Sequence, residues 1–329
     1  MSGEAPARDA RPDRTSPITV SDLGEFGLIA RITGQFQGTE STLLGPGDDA
    51  AVVAPPDGRV VAPTDRLVAH RHVRRDWSSA ADVGHKAAAK NFADIAAMGA
   101  VPTALLVGFA APADLPVEWA DGVTQGLKEE CGAVGAAVVG GDVVAADVVM
   151  LGVTALGDLQ GRAPVTLSGA KVGDAVAVTG RLGWASAGFA VLARGFRSPV
   201  AVVNAHRRPE PPYAEGVVAA RAGATAMTDV SDGLVADLGH IAAASGVRIE
   251  VSAARIPVPP RLVEVGSALN VDPLTWVLTG GDDYALVATF PPGTDLPDTW
   301  TEIGTVVLGD GVRVDGRRWP GGGHEHWRS

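Results

Sequence analysis

Thr228-Asp229-Val230-Ser231-Asp232-Gly233-Leu234 sets two carboxylates three residues apart on one turn, and its flanks say what kind of turn it is. Before it, Ala224-Thr225-Ala226-Met227 has the length and apolarity of a short buried strand. After it, Leu234, Val235, Leu238, Ile241 and Ala242 recur at helical spacing. A strand that turns through acids and glycine into a helix is a building unit of an α/β fold. The acidic pair by itself reads two ways. Ser231 suits a helix N-cap and Asp232 the positive end of the helix dipole, or the two aspartates belong to a site.

The same pattern recurs along the chain. Gly45-Pro46-Gly47-Asp48-Asp49-Ala50-Ala51 matches G-x-G-x-x-G/A in form, but strands over 51–54 and 59–63 follow it where a dinucleotide fingerprint would open a helix, so that reading is rejected. Thr64-Asp65 stands at the end of the second of these strands. A helix expected over 80–98 buries Val83, Ala87, Phe92, Ile95 and Met98 and carries Lys90, Asn91 and Asp94 on its other face, where Asp94 and Lys90 suit a surface pair. A strand over 136–139 runs into Gly140-Gly141-Asp142. Gly180-Arg181-Leu182-Gly183 joins a strand over 175–179 to a helix ending at Arg194, and is more often a plain tight turn than a phosphate loop. Later come a strand over 248–251, helices over 260–269 and 273–278, and Gly280-Gly281-Asp282-Asp283-Tyr284 running into a strand over 285–290. A first helix is expected from Glu25 to Gly38. Residues 1–22 read as a disordered tail, 23–158 and 159–329 as two α/β domains, the second opening on a turn-rich linker.

Composition narrows the class. Of 329 residues, 46% are hydrophobic and 20% charged, as in a folded globular protein, and the net charge of −11 argues against a nucleic-acid surface. The single cysteine, Cys131, forms no internal disulfide and fits a reducing cytoplasm. No signal peptide and no apolar run long enough to span a bilayer is expected, so no membrane partner is either.

Asp48, Asp49, Asp65, Asp94, Asp142, Asp229 and Asp232 all fall at strand ends or helix starts. Carboxylates converging in that number repel unless cations sit among them. Oxygen ligands without cysteine or clustered histidine select hard cations, Mg²⁺ foremost, which shares its shell with substrate phosphates. No Walker A or protein-kinase signature occurs, so the chemistry belongs to neither class.

Gly45 through Ala51, Thr64-Asp65, Lys86 with Asn91-Phe92-Ala93-Asp94-Ile95-Ala96-Ala97-Met98-Gly99-Ala100, Gly140-Gly141-Asp142, Asp229 through Leu234 and Gly281-Asp282-Asp283-Tyr284 occur in this order. In that order they resemble the thiamine-monophosphate kinases, of the ATP-binding superfamily that includes aminoimidazole ribonucleotide synthetase. The resemblance runs from Gly24 to the C-terminus. It implies an N-terminal domain whose sheet pairs across a homodimer into a barrel, a separate C-terminal α/β domain, and direct transfer of the γ-phosphoryl group of ATP to thiamine monophosphate. It further implies Mg²⁺ ligands at Asp49, Thr64, Asp65, Asp94, Asp142, Asp229 and Asp232, with Asp65 and Asp229 foremost and no general base. ATP contacts follow at Gly141, Asp142 and Ser231, and acceptor contacts at His72, Asp282, His324 and Trp327. Trp319 and Trp327 are the aromatic candidates for the cationic ring of thiamine.

The chain departs from the family pattern in four places. Pro63 stands where a serine often precedes Thr-Asp, and Asp282 shortens a usual glutamate. Leu167 replaces an arginine directed at ATP, for which Arg162 is the substitute, and His324 replaces a C-terminal aromatic residue. The competing readings are an aminoimidazole ribonucleotide synthetase-like enzyme and a nucleotide-binding relative without turnover.

Overall fold

The computed structural model describes residues 17–46 and 50–319. Its first half comprises α1 (Val20–Thr33), β1 (Thr42–Leu44), β2 (Val52–Val53), β3 (Thr64–Val68), α2 (Ala80–Ala97), β4 (Val101–Ala111), α3 (Val117–Val134), β5 (Ala137–Ala145) and β6 (Met150–Asp158). The last four of these strands form one sheet in the order β3-β6-β4-β5. Only β4 and β5 are parallel, and α3 is the crossover that parallel strands require. Ser79 and Asp82 start α2 with reciprocal hydrogen bonds, the Asp82 amide to Ser79 Oγ at 3.2 Å and the Ser79 amide to Asp82 Oδ2 at 2.9 Å. Glycines let α2 and α3 meet backbone to backbone: a Cβ on Gly84 would lie 2.0 Å from the Val123 carbonyl oxygen, and one on Gly126 2.0 Å from that of Ala81. The paired helices cover one face of the sheet, where Phe92, Ile95, Leu105, Leu151 and Val153 are buried. On the other face Ala51 and Val53 pack over Ala104, Ala137 and Val139, while Leu106 and Val144 stay 36% and 49% exposed.

The second half adds β7 (Ala175–Thr179), α4 (Trp184–Ala193), α5 (Val200–Arg207), α6 (Tyr213–Arg221), β8 (Ala226–Val230), α7 (Leu234–Ser245), β9 (Arg248–Val251), α8 (Pro260–Leu269), α9 (Pro273–Thr279), β10 (Ala285–Phe290), β11 (Thr301–Val307) and β12 (Gly311–Val314). Its sheet runs β12-β9-β11-β7-β10-β8, antiparallel except for β12 against β9. Every residue of β10 is buried, and the period of two sorts them: Ala285 and Val287 enter one core, Leu286, Ala288 and Phe290 another. That second core also contains Ala96 and Ala97 of α2 and Ala219 of α6. An alanine seam thus joins the two halves, and a Cβ on Gly216 would lie 2.0 Å from the Ala96 carbonyl oxygen.

Several elements differ from expectation for local reasons. Thr64 and Asp65 open β3 instead of ending a strand, because Pro63, which has no N–H, separates the lone Val61–Gly157 bridge from the ladder. Asp142 lies inside β5, which runs through both glycines; a Cβ on Gly141 would sit 2.0 Å from the Val107 carbonyl oxygen, so the close pairing admits only glycine there. α5, which has no counterpart among the expected elements, packs on α4 where a Cβ on Gly188 would meet the Val202 carbonyl oxygen at 2.0 Å. The first helix spans Val20–Thr33, earlier than expected, and breaks at Gly24.

Candidate active site

Lys90, on the polar face of α2, is the hub at which both halves meet. Its Nζ lies 2.6 Å from Asp65 Oδ2, on β3, so the pair expected with Asp94 is not the one formed. Asp94 follows one helical turn later, and Asp229 reaches the same region from β8 with only 8% of its surface exposed. Burial, reinforced by Asp229, pushes the Asp94 carboxyl up to about 7, against the pull of Lys90. Burial likewise pushes Asp229 up to about 6, with Asp232 adding to the rise. One ammonium does not balance three carboxylates, and the excess charge is what a cation would relieve.

The turn after β8 is capped differently from expectation. Gly233, not Ser231, is the N-cap of α7 and makes no side-chain cap bond. Asp237, buried in the first turn of α7, accepts the amides of both Asp232 and Gly233 on Oδ2, each at 3.0 Å. Burial, then Asp229 and Asp232, push the Asp237 carboxyl up to about 8. Among the described residues, ligand atoms of Asp232, Asp237 and His240 lie within 4.8 Å of one another, so a histidine does border the acids where oxygen ligands alone were expected.

Gly281 to Tyr284 lie against this turn. The Asp282 amide donates to the Ser231 carbonyl at 2.9 Å and the Tyr284 amide to that of Val230 at 3.1 Å. Asp282 and Tyr284 hold left-handed φ angles of 67° and 54°. The Asp282 carboxylate accepts from Lys86 Nζ at 2.8 Å and from the Tyr284 hydroxyl at 2.8 Å. Burial would raise its pKa, but Lys86 and Tyr284 outweigh it and hold the carboxyl well below the usual range. Asp283 is buried, accepts the Ala185 amide at 2.8 Å on one oxygen, and has no partner on the other; burial pushes it up to about 7.

Gly141 and Asp142 belong to another place. With Gly140 they border a cavity of 860 Å³ lined mainly by apolar side chains, among them Phe36 just after α1, Val53 of β2, Leu106 of β4 and Leu127 of α3. Asp142 is exposed and accepts its own neighbour's amide, Val143, at 2.9 Å. The register aligns Arg66 with Gly152, Gly152 with Gly108 and Gly108 with Asp142. Asp65 and Asp142 therefore lie on opposite edges of the sheet, about 14 Å apart at three strand spacings.

The remaining candidates are scattered. Thr64 is exposed on β3, donating to the Val153 carbonyl at 3.1 Å and accepting from Thr154 Oγ1 at 3.0 Å. His72 follows β3 and accepts the Val68 amide on Nδ1 at 3.1 Å. Arg162 is spent on the Gly99 carbonyl behind α2, at 3.3 and 3.2 Å, and does not line the cavity. Trp319 packs against the C-terminal core. Asp49, His324 and Trp327 lie outside the described residues. Sequence reasoning gave no role to Lys86 or Asp237. An acid in the first turn of the helix after an acidic loop was the available signal for Asp237.

The AIR synthase related protein N-terminal domain model matches residues 47–159, and the corresponding C-terminal domain model matches residues 171–316. The chain is 49% identical over 317 residues to a thiamine-monophosphate kinase of Mycobacterium tuberculosis (strain ATCC 25618 / H37Rv), covering 96% of this chain and 94% of that one. It is 42% identical over 297 residues to one of Corynebacterium glutamicum, covering 88% of each. The solved structure of AaThiL complexed with AMPPCP and TMP matches with a TM-score of 0.79 at 32% identity, over 96% of this chain and 100% of that one.

Proposed function

The chain belongs to the AIR synthase-related family and, within it, to the thiamine-monophosphate kinases, and from that premise we propose that it transfers the γ-phosphoryl group of ATP to thiamine monophosphate, giving thiamine diphosphate. The observation that carries this reading is the gathering of Asp65, Asp94 and Asp229, from three elements of both halves, around one lysine.

The donors fit a hard divalent cation: carboxylate oxygens predominate, and burial leaves their charge under-compensated. We take the cation as Mg²⁺, held by Asp65, Asp94, Asp229 and Asp232 with Thr64 beside them, and by Asp49 on motif alone. When bound, Mg²⁺ would neutralise charge on the donor and acceptor phosphates. The acceptor is a phosphate monoester with a second pKa of about 6, already largely dianionic at neutral pH, so no side chain needs to remove a proton. Asp282, kept ionised by Lys86 and Tyr284, presents fixed negative charge to the cationic ring of thiamine. His72, His324 and Trp327 complete the proposed acceptor contacts. The cavity beside Gly141 and Asp142 has the size and apolar lining for a nucleoside. Ser231, at the turn beside Asp232, is the proposed phosphate-side contact.

A homodimer is part of the same proposal. The cavity and the acid group occupy opposite edges of one sheet, whereas γ-phosphate and nucleoside belong to one molecule. A second copy, its sheet laid against the open face that carries Leu106 and Val144, would bring Asp142 of its β5 edge to the Asp65 edge. No described helix is long and apolar enough to cross a membrane. With a single buried thiol, Cys131, the chain suits the cytoplasm.

Incubation with ATP, Mg²⁺ and thiamine monophosphate, followed by chromatography, is expected to give thiamine diphosphate and ADP in equal amounts. A folded dimer that yields no thiamine diphosphate would overturn the reading.

A further inference from the structure

Asp65, Asp94 and Asp229 gather around Lys90, whereas Asp237 turns its Oδ2 to the backbone of the 231–233 turn. Only 3% of Asp237 is exposed, and its Oδ2 accepts two successive amides, Asp232 and Gly233. Those are amides at the start of α7, whose N-cap supplies no side chain of its own. Gly233 has φ 118°, and a Cβ there would lie 2.7 Å from the Thr279 carbonyl oxygen, so the turn is confined on that side too. A Cβ on Gly281 would likewise lie 2.1 Å from the Ser231 carbonyl oxygen, which accepts the Asp282 amide. The turn carrying Ser231 and Asp232 is thus held both by Asp237 and by the backbone of residues 279–284.

We propose that Asp237 is a positioning residue: its carboxyl oxygen fixes the 231–233 turn, and through it sets both the cation-facing Asp232 and the acceptor-facing Asp282. It acts through the two backbone hydrogen bonds and not as a cation ligand. The inference rests on the kinase reading for its activity arm only.

Asparagine at 237 keeps an oxygen acceptor for both amides, whereas alanine removes it. Three readouts separate the roles: the Mg²⁺ concentration for half-maximal turnover, Mn²⁺ binding without nucleotide followed by calorimetry, and amide hydrogen exchange of Asp232 and Gly233 in the cation-free protein. For Asp237→Ala the expected result is an increase of about 10–100-fold in half-saturating Mg²⁺, matching weakening of Mn²⁺ binding, and faster exchange at both amides. Asp237→Asn is expected to stay within about threefold of the parent on both cation measures, since its acceptor oxygen remains. If Asp237→Asn loses Mn²⁺ as badly as Asp237→Ala, the carboxylate is itself a ligand and the proposal fails. It also fails if Asp237→Ala melts lower yet binds Mn²⁺ as the parent does, which is a plain helix cap. Should Asp237→Ala not fold, rapid exchange of Asp232 and Gly233 in the parent would overturn the proposal, and protection retained by Asp237→Asn would support it. A parent that binds Mn²⁺ but makes no thiamine diphosphate would sink the kinase reading and leave the calorimetric and exchange arms to decide this one.

Discussion

At the β3 edge of the four-stranded sheet, Asp65 pairs with Lys90 at 2.6 Å beside the partly buried Asp94 and the buried Asp229; at the β5 edge, Gly140, Gly141 and Asp142 border an apolar cavity of 860 Å³. The first edge concentrates charge under the second domain, where burial raises carboxyl pKa values and makes a cation favourable. The second edge strips side chains away, so that backbone and one exposed acid face open space. The acid group and the glycine-bordered cavity thus lie at opposite sides of one sheet, and on the proposed reading a second copy would bring them together. The Gly281–Tyr284 turn adds a third arrangement: Asp282 is paired and stays charged, where Asp229 is crowded and tends toward neutrality.

The largest effect is expected on the charged edge. Asp229→Asn should lower turnover by at least about 100-fold, the upper end of what altering a metal site costs, with the melting temperature in Mg²⁺-free buffer unchanged or higher, because a crowded charge is removed. Near-normal turnover in this variant would show that the edge holds no essential cation. On the glycine edge, Gly141→Ala places a methyl 2.0 Å from the Val107 carbonyl oxygen and is expected to cost about 1–3 kcal/mol, read by denaturant titration, together with a raised KM for ATP. A variant as stable as the parent would mean the strands separate freely there, and Gly141 would lose its structural reason.

The smallest effect concerns pH. Asp283 titrates near 7 when folded, against about 3.9 when unfolded. Between those values the folded state binds the extra proton, so stability falls as pH rises through the window. Asp94, Asp229 and Asp237 contribute with the same sign. The cation-free protein should therefore melt lower at pH 8 than at pH 5, and Asp283→Asn, which keeps an acceptor for Ala185, should recover about 2–4 °C of that loss for each kcal/mol relieved. A melting temperature independent of pH, or one rising toward pH 8, would remove the claim that buried carboxyls crowd this side of the cleft.

Much of this was legible in the sequence where one local rule acted alone. β9 and β10 begin and end at the expected residues because the alternation of Arg248-Ile249-Glu250-Val251 and the largely apolar run 285–290 each have one reading, and α8 likewise starts at its proline and ends before Asn270. The acids were legible as a group, since glycine-flanked aspartates recur at element ends. What they touch was not. That Lys90 takes Asp65 and not Asp94 depends on how β3 lies across α2, a tertiary fact with no trace in the i,i+4 pattern. Ser231 had the composition of an N-cap, but Asp237 reaches the same amides from inside the helix. The division of Asp142 from Asp65 follows from strand order, which motif order along the chain conceals.

Subunit complementation tests the divided site most directly. Asp142→Ala and Asp229→Ala chains, each expected to be inactive alone, are unfolded together, refolded as an equal mixture and assayed with ATP, Mg²⁺ and thiamine monophosphate. If each site takes Asp142 from one copy and Asp229 from the other, half the dimers are mixed and one of their two sites is intact, so about one quarter of the parent activity should return. No recovery above the separate variants, in a preparation shown to contain mixed dimers, would contradict it.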